Sequence, residues 1–180
     1  MSVPTASSLL SIGFLTALQE ASGWIGGYLV TNSWGRPLEF RLTTAVQPNR
    51  VQTTLYGPTL TEYILADLIG KTLVEKTATK PDLIVTDVPL ALALRSRVEV
   101  PVIAVRGENA AAPADGDAVA FVHPRSTQGV FLPAKFASDR DKVMQLLERV
   151  DPAVDLAEPF GRIRDAVAEA RKMGVTKSAA

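Results

Sequence analysis

Asp87 and His123 are the side chains through which this 180-residue chain could most readily move a proton. Asp87 closes the run PDLIVTDVP, and His123 is the only histidine. A carboxylate at a strand end can hold or accept a proton, and a lone imidazole would have to be the general base of any Ser-His-Asp arrangement. Pro124, Arg125, Ser126 and Thr127 follow His123 in a polar turn that a ligand could reach. No Gly-x-Ser-x-Gly nucleophile elbow exists to pair with it, and a single histidine at a strand end more often makes a structural hydrogen bond. With no cysteine and one histidine, zinc would have to recruit three carboxylates. No metal and no cofactor is expected.

Asp82, Asp87, Glu99 and Glu108 raise a second chemistry, that of a metal-dependent nuclease. Such a core would want a strand carrying Glu and Lys two residues apart, and Glu39-Phe40-Arg41 is the nearest approach; it reads as a solvated cross-strand face. PDLIVTDVP followed by PVIAV also resembles the phosphoacceptor strand of a response-regulator receiver domain, with Asp87 as acceptor. A receiver needs an early acidic pair for magnesium, and the first ninety residues contain no adjacent acidic pair. Ile103 also arrives too early for the helix and loop that a receiver places before its next strand. The alternative role for Asp87 is a helix N-cap, with Pro89 in the first turn.

Arginine supplies a third possibility. Arg106 and Arg125 stand near strand ends and are candidate ligand-binding residues, while Arg36, Arg41, Arg50, Arg95 and Arg97 are dispersed. Convergence cannot be read from spacing, and dispersed arginines on a neutral chain are usually solvated or paired. Gly23, Gly26 and Gly27 precede a strand and do not open a helix, so they form no phosphate cradle and read as bulge or packing glycines.

The elements that must position these groups follow from patterning. Ser8 to Leu18 is short and apolar on both faces, and strand is the expectation. Ile25 to Ser33 and Leu38 to Val46 form a hairpin around Ser33-Trp34-Gly35-Arg36-Pro37, with Leu38, Phe40, Leu42 and Val46 facing inward and Glu39, Arg41 and Thr43 outward. Thr59-x-x-Glu62 has capping-box spacing and predicts a helix to about Lys76, packed through Leu60, Tyr63, Ile64, Leu68, Leu73 and Val74. LIVTD and VIAV read as strands covered on both faces, joined by a short helix over VPLALALRSRV. A second hairpin, AVAFVHP and GVFLPAKF, turns through Arg125-Ser126-Thr127-Gln128. Helices are expected from Ser138 to about Val150 and from Asp155-x-x-Glu158 to Gly174.

The fold class is therefore α/β, with α+β as the alternative: a mixed sheet with an N-terminal antiparallel hairpin, a strand-helix-strand unit and a C-terminal helix. Residues 1–173 read as one domain, 107–117 as a flexible surface loop and 174–180 as a frayed tail. The hairpin with its Gly-Arg-Pro corner and the capped amphipathic helix after it are similar to the start of roadblock/longin or profilin-like modules, whose sheets serve dimerisation or ligand binding. The later strand-helix-strand unit departs from that pattern.

Lys plus Arg and Asp plus Glu both total 19, so no net charge draws the chain toward phosphate backbones or acidic membranes. Nucleic acid is thus an unlikely partner, no membrane segment is expected, and the absence of cysteine fits the cytoplasm. Trp34 and Arg36 at the hairpin corner are residue types enriched at interfaces. The expected function is a non-enzymatic interaction subunit or homo-oligomer, contacting a protein partner or itself through the first hairpin and the C-terminal helix. The alternative is a small-ligand-binding domain or enzyme with its pocket at the strand ends near Asp87 and His123.

Overall fold

The computed structural model describes residues 9–106, 113, 116–124 and 126–174. Seven strands form one mixed sheet in the order β3-β2-β1-β4-β5-β7-β6. β1 (Ser11–Glu20), β2 (Gly23–Asn32) and β3 (Pro37–Leu42) make an antiparallel meander. β4 (Leu83–Thr86) and β5 (Val102–Val105) then run parallel to β1, and β6 (Ala118–His123) pairs with β7 (Ser126–Pro133) as a second hairpin docked on β5. This is the α/β class with a mixed sheet. Among the described residues, no helix is long and apolar enough to cross a membrane.

Both faces of the sheet are covered, which is why LIVT and VIAV are buried at every position. On one face Ile12, Phe14, Leu83, Val85, Ile103 and Val105 pack under α4 (Arg140–Glu148) and α5 (Glu158–Lys172). Phe14 meets Phe160 edge to face at 5.7 Å, a geometry worth about 0.5–1.5 kcal/mol beyond burial alone. On the other face Leu15, Tyr28, Val30, Ile84 and Ala104 pack against residues 60–76 and the 3-10 turns of Pro89–Arg97.

The helical segment before β4 differs from its expected form in two ways. Helix begins earlier, at α1 (Arg50–Tyr56), where Asn49 and Gln52 form a reciprocal capping box with bonds of 2.8 and 3.0 Å. Thr59 therefore caps nothing: a 3-10 turn over Gly57–Thr59 carries the chain from α1 into α2 (Leu60–Glu62), and its hydroxyl donates back to the Tyr56 carbonyl at 2.7 Å. From Tyr63 to Lys71 the helix is π-type before α3 (Thr72–Lys76) resumes α geometry. The wider turn buries residues five apart, Ile64 with Ile69 and Leu65 with Gly70, whereas Leu68 is only half-buried.

β3 also departs from expectation. Leu38 and Phe40 are 50% and 37% exposed, because β3 is the sheet edge and α5 packs over β1 and β2. Glu39, expected to face water, accepts from the Ala78 and Thr79 backbone N–H groups at 3.1 and 3.0 Å and from Arg41 at 2.8 Å. It clamps the edge strand to the segment leading into β4.

Two glycines set the layer spacing. A Cβ on Gly26 would collide with Ile69, and one on Gly27 with Ile163, so each helical layer rests directly on β2 backbone. Gly27→Ala should cost about 1–3 kcal/mol, read as a lowered urea midpoint, since overpacking forces the layers apart. Glu39 gives a pH signature. The Thr79 backbone donor, with help from Arg41 and Ala78, holds its carboxyl down at about 2 against an ordinary 4.5. A depressed folded-state value means the contribution is complete above pH 4.5 and is lost as pH falls toward 2. Stability of Glu39→Gln should therefore fall less steeply than wild type across that window in urea titrations.

Candidate functional site at the strand ends

Asp87 leaves the carboxyl end of β4, where the turn is organised by its neighbours. Val88 is the N-cap of the following 3-10 turn and has no side-chain cap; its N–H donates to Thr86 Oγ1 at 3.1 Å. Asp87 is therefore not the helix cap that its spacing to Pro89 suggested: Val88 holds the N-cap position without a side-chain bond, and strand alternation turns Asp87 toward the α5 face. There its Oδ2 accepts from Arg164. The carboxylate is 3% exposed and the guanidinium above it 46%.

Thr16 completes the arrangement. Leu15 and Thr86 are the last register pair of β1 and β4, so Thr16 and Asp87 stand side by side one residue further on. Thr16 Oγ1 and Asp87 Oδ1 are both buried with no hydrogen-bond partner among the described residues. Two orphaned oxygens at adjacent register positions, one of them charged, are costly unless the site has work for them. Arg106 leaves β5 one residue beyond the position level with Asp87 and is exposed. Arg171, 45% exposed, pairs with Glu20 at the end of β1 at 2.9 Å. Of these arginines Arg164 alone contacts the Asp87 carboxylate among the described residues, a pairing that spacing along the chain did not reveal.

His123 does not join them. It ends β6, the opposite edge of the sheet, three strands from β4, and its Nε2 lies 3.2 Å from Glu148 Oε1 on α4. Arg125 lies outside the described residues, as do residues 107–112 of the expected loop and 175–180 of the expected tail. The turn between β6 and β7 is shorter than expected, with Ser126 already paired to His123. Trp34 and Arg36 sit exposed at the β2–β3 corner, at the other end of β1. A cleft of about 230 Å³, lined by Leu92, Ser96, Lys135 and Phe136, and an open concavity of about 370 Å³ beside Trp34 are lined by neither Asp87 nor His123.

The carboxylates that suggested a metal nuclease are split between the two ends of the sheet. Asp82 binds the Ser11 N–H at 3.0 Å and Glu99 precedes β5, both at the amino ends, whereas Asp87 is at the carboxyl end. Glu108 is outside the described residues. A divalent cation engaged in phosphoryl transfer is held among several oxygen ligands. Among the described residues no group of three or more His, Cys, Asp or Glu side chains could hold a metal. The residues at Asp87 do not fit a resident divalent cation; they present one carboxylate, one hydroxyl and arginines.

A mixed sheet covered on both faces, with side chains gathered at its carboxyl edge, defines an α/β domain of the kind that places ligands at strand ends. No protein-family model matches the chain, and no curated protein matches it significantly in sequence. Its fold is similar to that of Endonuclease V from Bacillus subtilis, with a TM-score of 0.52 at 12% identity over 91% of this chain and 83% of that one. The fold is thus one on which an endonuclease is built, and it overturns the expectation of a non-enzymatic interaction subunit for which nucleic acid is an unlikely partner. That expectation rested on missing linear motifs and zero net charge. Neither registers which residues the fold brings to one end of β1, β4 and β5.

The Arg164 contact can be weighed by stability. Arg164→Ala should cost about 1–2 kcal/mol, less than breaking a fully buried pair because the guanidinium is half-exposed while the carboxylate beneath it is not. Adding Asp87→Ala should restore part of that loss, and urea denaturation of the two single variants and the double variant measures the coupling.

Proposed function

We propose that the chain acts on nucleic acid and that its active site is the Asp87 edge, where β1, β4 and β5 end. The observation that carries the reading is the buried Asp87 carboxylate, one oxygen held by a half-exposed Arg164 and the other without a partner beside Thr16. The similarity to an endonuclease fold supplies the substrate class. Arg164 and Arg106 offer guanidinium groups to phosphate, which arginine recognises through paired donors. Asp87 Oδ1 is the group able to accept a proton from a water or hydroxyl brought to the edge, and Thr16 can orient that oxygen. A cysteine-free chain with such a role fits the cytoplasm.

Fluorescence anisotropy with labelled single- and double-stranded DNA and RNA tests the binding, and denaturing gels of the same oligonucleotides test turnover. Affinity should fall as salt rises, and Arg164→Ala should weaken binding and lower the slope of log affinity against log salt by about 1. Asp87→Asn, which keeps the shape of the side chain, should abolish cleavage while retaining binding. Failure to bind any of the four nucleic acids, or binding and cleavage indifferent to both substitutions, would rule the proposal out.

A further inference from the structure

Trp34 is 68% exposed, yet the turn that carries it is tied down at nearly every backbone group. Asn32 Oδ1 accepts from the N–H groups of both Trp34 and Arg36 at 3.0 Å. The Ser33 carbonyl accepts from Asp151 N–H at 3.0 Å, and the Gly35 carbonyl from Arg162 at 2.9 Å. Gly35 itself has φ +79°, which a side chain would strain. The indole is thus carried into solvent on a backbone whose conformation is fixed, as a side chain offered for contact would be.

What the ring faces points to a ligand. Trp34 forms one wall of the open concavity of about 370 Å³ whose other walls are Val154, Asp155, Glu158 and Arg162. Arg162 Nε is spent on Glu158 Oε2 at 3.0 Å, and Asp155 Oδ1 on the Ala157 N–H at 2.8 Å. Asp155 and Glu158 both line this space, and each keeps a second carboxylate oxygen able to accept a hydrogen bond. Two carboxylates repel phosphate, so an anion is the wrong occupant. A flat, neutral, aromatic group bearing N–H donors is the right one. Arg36, exposed two residues from Trp34 on the same corner, is the nearby cation that a phosphate attached to such a group could meet.

We infer that Trp34 and this concavity form a subsite for one unstacked nucleobase of a single strand, stacked on the indole and read through its exocyclic amino group by Glu158, with Arg36 on the adjoining phosphate. Stacking on an aromatic side chain is tolerant of sequence, whereas a carboxylate acceptor favours cytosine or adenine over thymine or uracil. The inference rests on the proposed nucleic-acid function and adds a contact on the flank of α5 opposite Asp87.

The two tryptophans make the test direct, because Trp24 is half-buried against the core and can be replaced by Phe to leave Trp34 as the sole reporter. In the Trp24→Phe protein, titration with oligo-dC or oligo-dA should quench the indole emission, and oligo-dT should do so more weakly. Trp34→Ala should weaken single-strand binding about ten-fold or more, with the thermal midpoint unchanged. Glu158→Gln should narrow the gap between dC and dT while leaving the quenching. Oligonucleotides that bind, and respond to Arg164→Ala, without altering Trp34 emission or suffering from Trp34→Ala would overturn the subsite and leave the Asp87 proposal standing. No binding to any oligonucleotide would overturn both. Emission changed by a protein partner alone would assign the corner to that partner and reject the base.

Discussion

Gly27 has no side chain, and the contact this allows with Ile163 fixes how closely α5 lies on the sheet. Everything at the two ends of that helix follows from the separation. Phe160 reaches Phe14 in the core, Arg164 reaches the buried Asp87 on one flank, Arg162 reaches the Gly35 carbonyl on the other, and Arg171 reaches Glu20 beyond them. An alkyl group at position 27 would lift the helix, and long polar side chains aligned to fixed acceptors lose their geometry over small displacements. The same device recurs on the opposite face, where Gly26 receives Ile69 from the π-helical turn.

β1 is the second organising element. It pairs antiparallel with β2 along its whole length and parallel with β4 over Ile12–Leu15, so it joins the meander to the strand-helix-strand unit. Where the parallel pairing stops, Thr16 and Asp87 remain beside each other on a face already dry under α5. That is how two oxygens with no hydrogen-bond partner come to share one edge, and it separates this edge from a mere terminus of the sheet. Arg164 above Asp87 is half-exposed, so of this ion pair the cation faces solvent and the anion is buried.

Local pattern carried much of the architecture. LIVT and VIAV announced doubly covered strands, the apolar positions Phe160, Ile163 and Val167 announced α5, and the Gly35 corner announced its hairpin. The errors fall where an element's environment, not its own period, sets burial. β3 alternates like a half-buried strand, but nothing obliges a helix to cover a sheet edge, and Leu38 and Phe40 stay in water while Glu39 is engaged. Thr59 has the spacing of a cap, but helix already precedes it from Asn49. Asp87 was legible as a residue of interest and its partner was not, since Arg164 lies 77 positions away on another layer.

Strand patterning, the two-sided apolar strands and the α5 stripe were legible along the chain, because they depend on neighbours within a few residues; α1 and the π-helical turn were not. Which polar groups meet was set by the packing of distant segments. Strand order sent His123 to the far edge with Glu148 and brought Thr16, Asp87, Arg106 and Arg164 to one end, while the acids Asp82 and Glu99 went to the other. Periodicity records which way a side chain points from its own backbone. It does not record which strand becomes its neighbour, and that choice sets which side chains share an edge.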